Sequence, residues 1–177
     1  MSFDPPEPES IDPADLYVCV VASRYNERLI DELLDRVLTT LEDRDVPEEN
    51  VQVYRVPGSN ELPYAAFMNA VSGQFDVVIA LGVIIAGDTN HHDLIARSTG
   101  QAFHEIGLRT EVPVINGVLT VNSEAQAKAR VSGNHDRGRE FANAALEMAS
   151  MKVQWVERLD ALEDQLEERT SEGGLGS

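Results

Sequence analysis

Short apolar runs alternate along this chain with segments whose apolar residues recur every three or four positions. Residues 16–23 are a Val-rich run without polar alternation, the pattern of a strand buried on both faces. Behind it Ile30, Leu33, Leu34, Val37, Leu38 and Leu41 are spaced for one face of an amphipathic helix. Residues 51–56 read as a second strand and 61–71 as a helix that tolerates Pro63 in its first turn. Residues 75–85 predict a third strand, 90–109 a helix with Ile95, Ala102, Phe103 and Ile106 inward, and 112–120 a fourth strand. A short helix over 123–130 and a long one over 138–168 complete the pattern, and no internal repeat is visible. Such alternation predicts an α/β fold: a four-stranded parallel sheet, helices on both faces, and ligands at the carboxyl ends of the strands.

The two ends differ from this middle. Residues 1–14 hold Pro5, Pro6, Pro8 and Pro13 among acids and read as a solvated, disordered arm. In the last helix Met151, Trp155, Leu159, Leu162 and Leu166 continue an apolar seam while the other positions turn mostly acidic and polar. The seam is either a solvated helix end or a coiled-coil-like contact between subunits. Gly173, Gly174 and Gly176 mark a loose terminus. The organisation expected is an arm over 1–14, one domain over 15–156 and an acidic helical extension over 157–177.

Composition narrows the function classes. A length of 177 residues, 42% hydrophobic and 25% charged, describes one globular domain with a sizeable core. The net charge of -17 argues against a nucleic-acid partner, which selects Lys and Arg clusters. Much of that charge lies outside the domain: residues 1–15 carry five acids and no base, and 157–177 carry seven acids against Arg158 and Arg169. Cys19 is the only cysteine and lies within an apolar run, so it reads as a buried small hydrophobe. Neither a signal-peptide pattern nor an apolar run of the roughly 20 residues a membrane helix needs is readable, so no membrane role and a cytoplasmic location are expected. The chain has no zinc-site spacing and no Walker or dinucleotide glycine fingerprint, so neither a metal nor another cofactor is indicated.

Three predicted strand ends hold unusual residues. Ser23-Arg24-Tyr25-Asn26 puts an aromatic and an amide after the first strand. Pro57-Gly58-Ser59-Asn60-Glu61 is a tight turn that delivers a carboxylate to the start of a helix. Gly87-Asp88-Thr89-Asn90-His91-His92-Asp93 joins the third strand to a helix, with glycine for close approach, helix amides for an anion and an imidazole beside them. In a parallel sheet all three lie on one rim and can meet one ligand. Each also has a plain structural explanation. Tyr25 can be a rim aromatic, Glu61 can complement the helix dipole, and Thr89 is a natural N-cap. His91 and His92 point about 100° apart on a helix, so only one is expected to face the site, the other solvent.

These motifs, in this order and at these spacings, resemble the lumazine synthase family over about residues 18–148, closing with Ala144-Ala145-Leu146-Glu147-Met148. The resemblance implies a flavodoxin-like three-layer domain that assembles as homopentamers, or shells built from them, with each active site between neighbouring subunits. It implies condensation of two small molecules, 5-amino-6-(D-ribitylamino)uracil and 3,4-dihydroxy-2-butanone 4-phosphate, to 6,7-dimethyl-8-ribityllumazine, phosphate and water, without a cofactor. Residue by residue, it implies that Tyr25 stacks on the pyrimidine beside Asn26 and that Ser59, Asn60 and Glu61 bind the ribityl chain. Ile84 and Ile85 would line the pyrimidine through their backbone; Gly87, Asp88 and Thr89 would form the phosphate turn, and His91 would carry the proton. Arg130 is the best match for the phosphate arginine, with Arg137 and Arg139 as competitors because the loop after Arg130 is one residue shorter than the family's. Asn60 and Asn116 stand where the family often has aromatics, Ala86 replaces a common Arg, and His92 and Leu94 replace aromatics, which makes the pocket more polar. These departures keep a second reading open: a non-catalytic or weakly active paralogue that binds flavin or lumazine, or serves as an assembly scaffold. Retention of Glu61, Thr89 and His91 speaks against it.

Overall fold

The computed structural model describes residues 13, 15–87, 91–132 and 135–173, with side chains described as far as Leu166. Four parallel strands, β1 (Val18–Ser23), β2 (Val51–Val56), β3 (Val77–Ile85) and β4 (Val114–Val121), form one sheet in the order β2-β1-β3-β4. The helices are α1 (Glu27–Asp43), α2 (Leu62–Ala70), α3 (His91–Thr110), α4 (Glu124–Val131) and α5 (Arg137–Gly173). The expected α/β class with a four-stranded parallel sheet is what the chain adopts.

The two inner strands explain the unbroken apolar runs. Along β1, Val18, Val20 and Ala22 enter one core with Ile30, Leu33 and Val37 of α1 and Ala142, Ala145 and Ala149 of α5. Cys19 and Val21, pointing the other way, enter a second core with Leu62 and Ala66 of α2 and Phe103 and Ile106 of α3. Both faces of the strand are thus covered, so polar alternation would bury polar groups. Burial pushes the Cys19 thiol up to about 12, as expected of a structural cysteine.

Helix ends follow their local chemistry. Ser123 caps α4 by accepting the Gln126 N–H, while the Gln126 side chain accepts the Asn122 N–H, a reciprocal cap. Asp136 accepts the Arg139 N–H at the start of α5. Gly138 lets α5 lie against α1: a Cβ there would stand 2.5 Å from Arg36 Cβ and 3.0 Å from Leu33 O. Ile95 and Ala102, expected inward on α3, are only half-buried, whereas Thr99 is buried and bonds back to Ile95 O. The last helix runs through Gly173, five residues past its expected end; the added segment 169–173 contains no proline to stop it. No helix among the described residues is long and apolar enough to cross a membrane.

Candidate functional site

The carboxyl ends of β1, β2 and β3 are neighbours in the sheet, so the turns that leave them share one rim. The first two turns are joined by backbone bonds, from Arg24 N to Val56 O and from Tyr25 N to Pro57 O. Asn26 sits in the left-handed region (φ 58°, ψ 42°) at the start of α1, a conformation that Asn tolerates better than most residues. From there its side-chain Nδ2 donates to Val83 O at 2.8 Å, tying the first turn to β3. The turn after β2 is a short 3₁₀ segment, Ser59–Glu61, that feeds directly into α2. It seats on β3 at Gly82, where a Cβ would come within 2.7 Å of Ser59 Oγ.

A cavity of about 540 Å³ opens on this rim, lined by Tyr25, Asn26, Gly58, Ser59, Asn60, Glu61, Val83, Ile84, Ile85, Gly87, His91, His92 and Ile95. Ile84 and Ile85 form its floor at the end of β3, and Ala86 N bonds Val121 O to hold that end in the sheet. Tyr25 is 73% exposed, offering an aromatic side chain to a flat ligand. Glu61 offers an exposed carboxylate. Among the described lining residues there is no Lys or Arg. No cluster of three His, Cys, Asp or Glu among the described residues could hold a metal.

Of the expected site residues, Tyr25, Asn26, Ser59, Asn60, Glu61, Ile84, Ile85, Gly87 and His91 all border this one cavity. Asp88 and Thr89 lie outside the described residues. His92 departs from expectation: it lines the cavity together with His91. With Ile95 they bring three residues from the start of α3 to its wall, although His91 and His92 lie about 100° apart on the helix. His92 is the more enclosed of the two, its side chain 18% exposed, with Nε2 3.6 Å from Asp93 Oδ1.

Asn116 and Arg130 do not border the cavity. Asn116 is on β4, where its Oδ1 accepts the Val118 N–H and its Nδ2 lies 3.4 Å from the place of a Cβ on Gly100. Arg130 is on α4 and donates from Nη1 to Gln126 O. Arg137 pairs with Glu140 and lies over the Phe141 ring at 5.0 Å, which engages its guanidinium within α5. Gly82 and Val83, one seating a turn and the other accepting from Asn26, were not singled out from the sequence. A glycine inside a nine-residue apolar strand was the available signal of a close approach.

Comparison with known proteins shows the family to which the chain belongs. The family model described as 6,7-dimethyl-8-ribityllumazine synthase matches residues 15–153. A 6,7-dimethyl-8-ribityllumazine synthase of Cupriavidus pinatubonensis is 39% identical over 158 residues, covering 89% of this chain and 90% of the relative. One of Thermococcus onnurineus is 42% identical over 136 residues, 77% and 88% of the two chains. One of Xylella fastidiosa is 40% identical over 140 residues, 78% and 91%.

Proposed function

Since the chain belongs to the 6,7-dimethyl-8-ribityllumazine synthase family, we propose that the rim cavity is where it carries out that family's reaction. The protein is a transferase of riboflavin biosynthesis, joining 5-amino-6-(D-ribitylamino)uracil to 3,4-dihydroxy-2-butanone 4-phosphate with release of phosphate and water. What carries the assignment of the site is the convergence of an aromatic face, a carboxylate, strand-end backbone and a helix start bearing imidazoles on one cavity.

The roles are those the family resemblance implies, and the chemistry of each group suits them. Tyr25 stacks on the pyrimidine, and backbone at Ile84 and Ile85 lines the edge of that ring. Ser59, Asn60 and Glu61 take the ribityl hydroxyls, the carboxylate of Glu61 accepting their protons in hydrogen bonds. The phosphate lies at Gly87, Asp88 and Thr89, toward the amino end of α3, where helix amides favour an anion. An amine then condenses with the ketone to an imine with loss of one water, phosphate is eliminated, and the second amine closes the ring with loss of a second water. Every step moves a proton, which His91 donates or accepts. Holding both substrates in reacting geometry supplies much of the rest of the acceleration.

A phosphate dianion calls for a cation that the described cavity wall lacks. We assign it to Arg130 of a neighbouring copy, with Asn116 of that copy facing the pyrimidine, in a cytoplasmic homopentamer. A turnover assay with both substrates tests the reading: the coloured, fluorescent lumazine should form. Binding of substrate or lumazine without turnover would overturn it in favour of the non-catalytic paralogue.

A further inference from the structure

After Val153 the last helix leaves the body of the domain. Lys152 is its last tethered side chain, with Nζ 3.2 Å from Asp76 Oδ1, and every side chain over residues 154–166 is exposed. The family match ends at the same place, residue 153, so the projecting part of α5 is independent of the catalytic reading.

Trp155, Leu159, Leu162 and Leu166 recur at steps of four, three and four, the a/d spacing of a coiled coil, and are 47–60% exposed. With Leu159 and Leu166 at a and Trp155 and Leu162 at d, the acids Glu157, Asp160 and Asp164 fall on the outer b and f positions. The flanks of the seam therefore carry no net acidic charge. They carry Arg158 at g and Glu163 at e, and one heptad earlier Met151 at g and Val156 at e.

This flank pattern selects a partner. In a parallel pair a g residue meets the e residue five positions further along the other helix. In the projecting part, which begins after Lys152 takes the preceding a position to its own Asp76, Arg158 then meets Glu163 of the other copy, twice per pair. An antiparallel pair sets g beside g and e beside e, which leaves Arg158 and Glu163 without opposite charges. We propose that the exposed seam of α5 docks on the α5 seam of a second copy of this chain as a parallel, in-register helix pair.

The full-length protein supplies its own reporters. Trp155 is the only tryptophan, and the only cysteine, Cys19, is buried in the sheet with its thiol pushed up to about 12, so neither gives background. Under mild oxidation Leu162→Cys should form disulfide-linked dimers through position 162, while Ala161→Cys on the outer face should not. Trp155 emission should lie to the blue of a water-exposed indole and shift red in Leu162→Glu, with lumazine formation unchanged. Arg158→Glu should weaken the pair, and Arg158→Glu with Glu163→Arg should restore it. Equal cross-linking at 161 and 162, no cross-linking at 162, or water-like emission indifferent to Leu162→Glu would each overturn the proposal.

Discussion

Gly82→Ala tests whether the cavity depends on how closely the Ser59–Glu61 turn sits on β3. The added methyl would stand 2.7 Å from Ser59 Oγ and 3.2 Å from both Leu62 Cδ1 and Val118 Cγ2. Overpacking of this kind costs about 1–3 kcal/mol. For a chain of this size each kcal/mol lowers Tm by about 2–4 °C, so a fall of roughly 2–12 °C is expected. Relief by pushing the turn outward displaces Ser59, Asn60 and Glu61 together. A misplacement near 1 Å can cost up to about 10²-fold, so roughly tenfold in kcat/KM, carried by the KM for the ribityl pyrimidine, is a central expectation. Gly138→Ala is the matched control. Its methyl would meet Arg36 Cβ at 2.5 Å and Leu33 O at 3.0 Å, between α5 and α1 rather than at the cavity, so it should lose stability without that KM change. The assay is steady-state lumazine formation with each substrate varied, beside thermal melts, for Gly82→Ala, Ser59→Ala and the double variant. Because the tightest clash is with Ser59 Oγ, adding Ser59→Ala should relieve most of the Gly82→Ala loss, leaving the smaller strain against Leu62 Cδ1 and Val118 Cγ2. Strictly additive losses, or a normal pyrimidine KM in a destabilised Gly82→Ala protein, would refute the seating argument.

His91→Ala should slow turnover by about 10–10³-fold, the lower range for a general acid-base group aiding reactive substrates, and His92→Ala should do much less. A larger loss at His92, the more enclosed imidazole, would transfer the proton-carrying role to it. Arg130→Ala should raise KM for the phosphate substrate and leave that for the pyrimidine nearly unchanged, read from the same kinetics. Normal phosphate kinetics there, with impairment in Arg137→Ala or Arg139→Ala, would reassign the cation. Asn26→Ala removes the bond to Val83 O and places Ala in the left-handed region, costing about 2 kcal/mol, whereas Asn26→Gly keeps the backbone at ease and should cost less in a denaturant melt.

Much of the fold was legible because burial on two faces writes itself as unbroken apolar runs, as in Val18–Ser23 and Val77–Ile85. The stripe of α1 was equally plain, since Ile30, Leu33, Val37 and Leu41 all face the core. Three strand-end motifs pointed to the rim because a parallel sheet puts every strand's carboxyl end on one side. Less was legible where a residue's role depends on a distant neighbour. Nothing around Asn26 says that its amide will be taken up by Val83 O, and nothing around Gly82 names Ser59 as the atom it admits. The separation of Asn116 and Arg130 from the cavity comes from the sheet order and the crossover to α4, which local periodicity does not encode.

The strand order bears on how the chain reaches this state. Val18 pairs with both Val51 and Val77, and Val78 with Val114, so every ladder joins segments far apart in sequence. Such pairings close long loops before any contact rewards them, which puts folding among the slower single domains. The cavity needs the ends of β1, β2 and β3 together, so it cannot form ahead of the β1–β3 ladder. During synthesis a ribosome must therefore release β3 and the first turn of α3 before the emerging chain can hold a substrate, so binding energy cannot act on the earlier stages of folding.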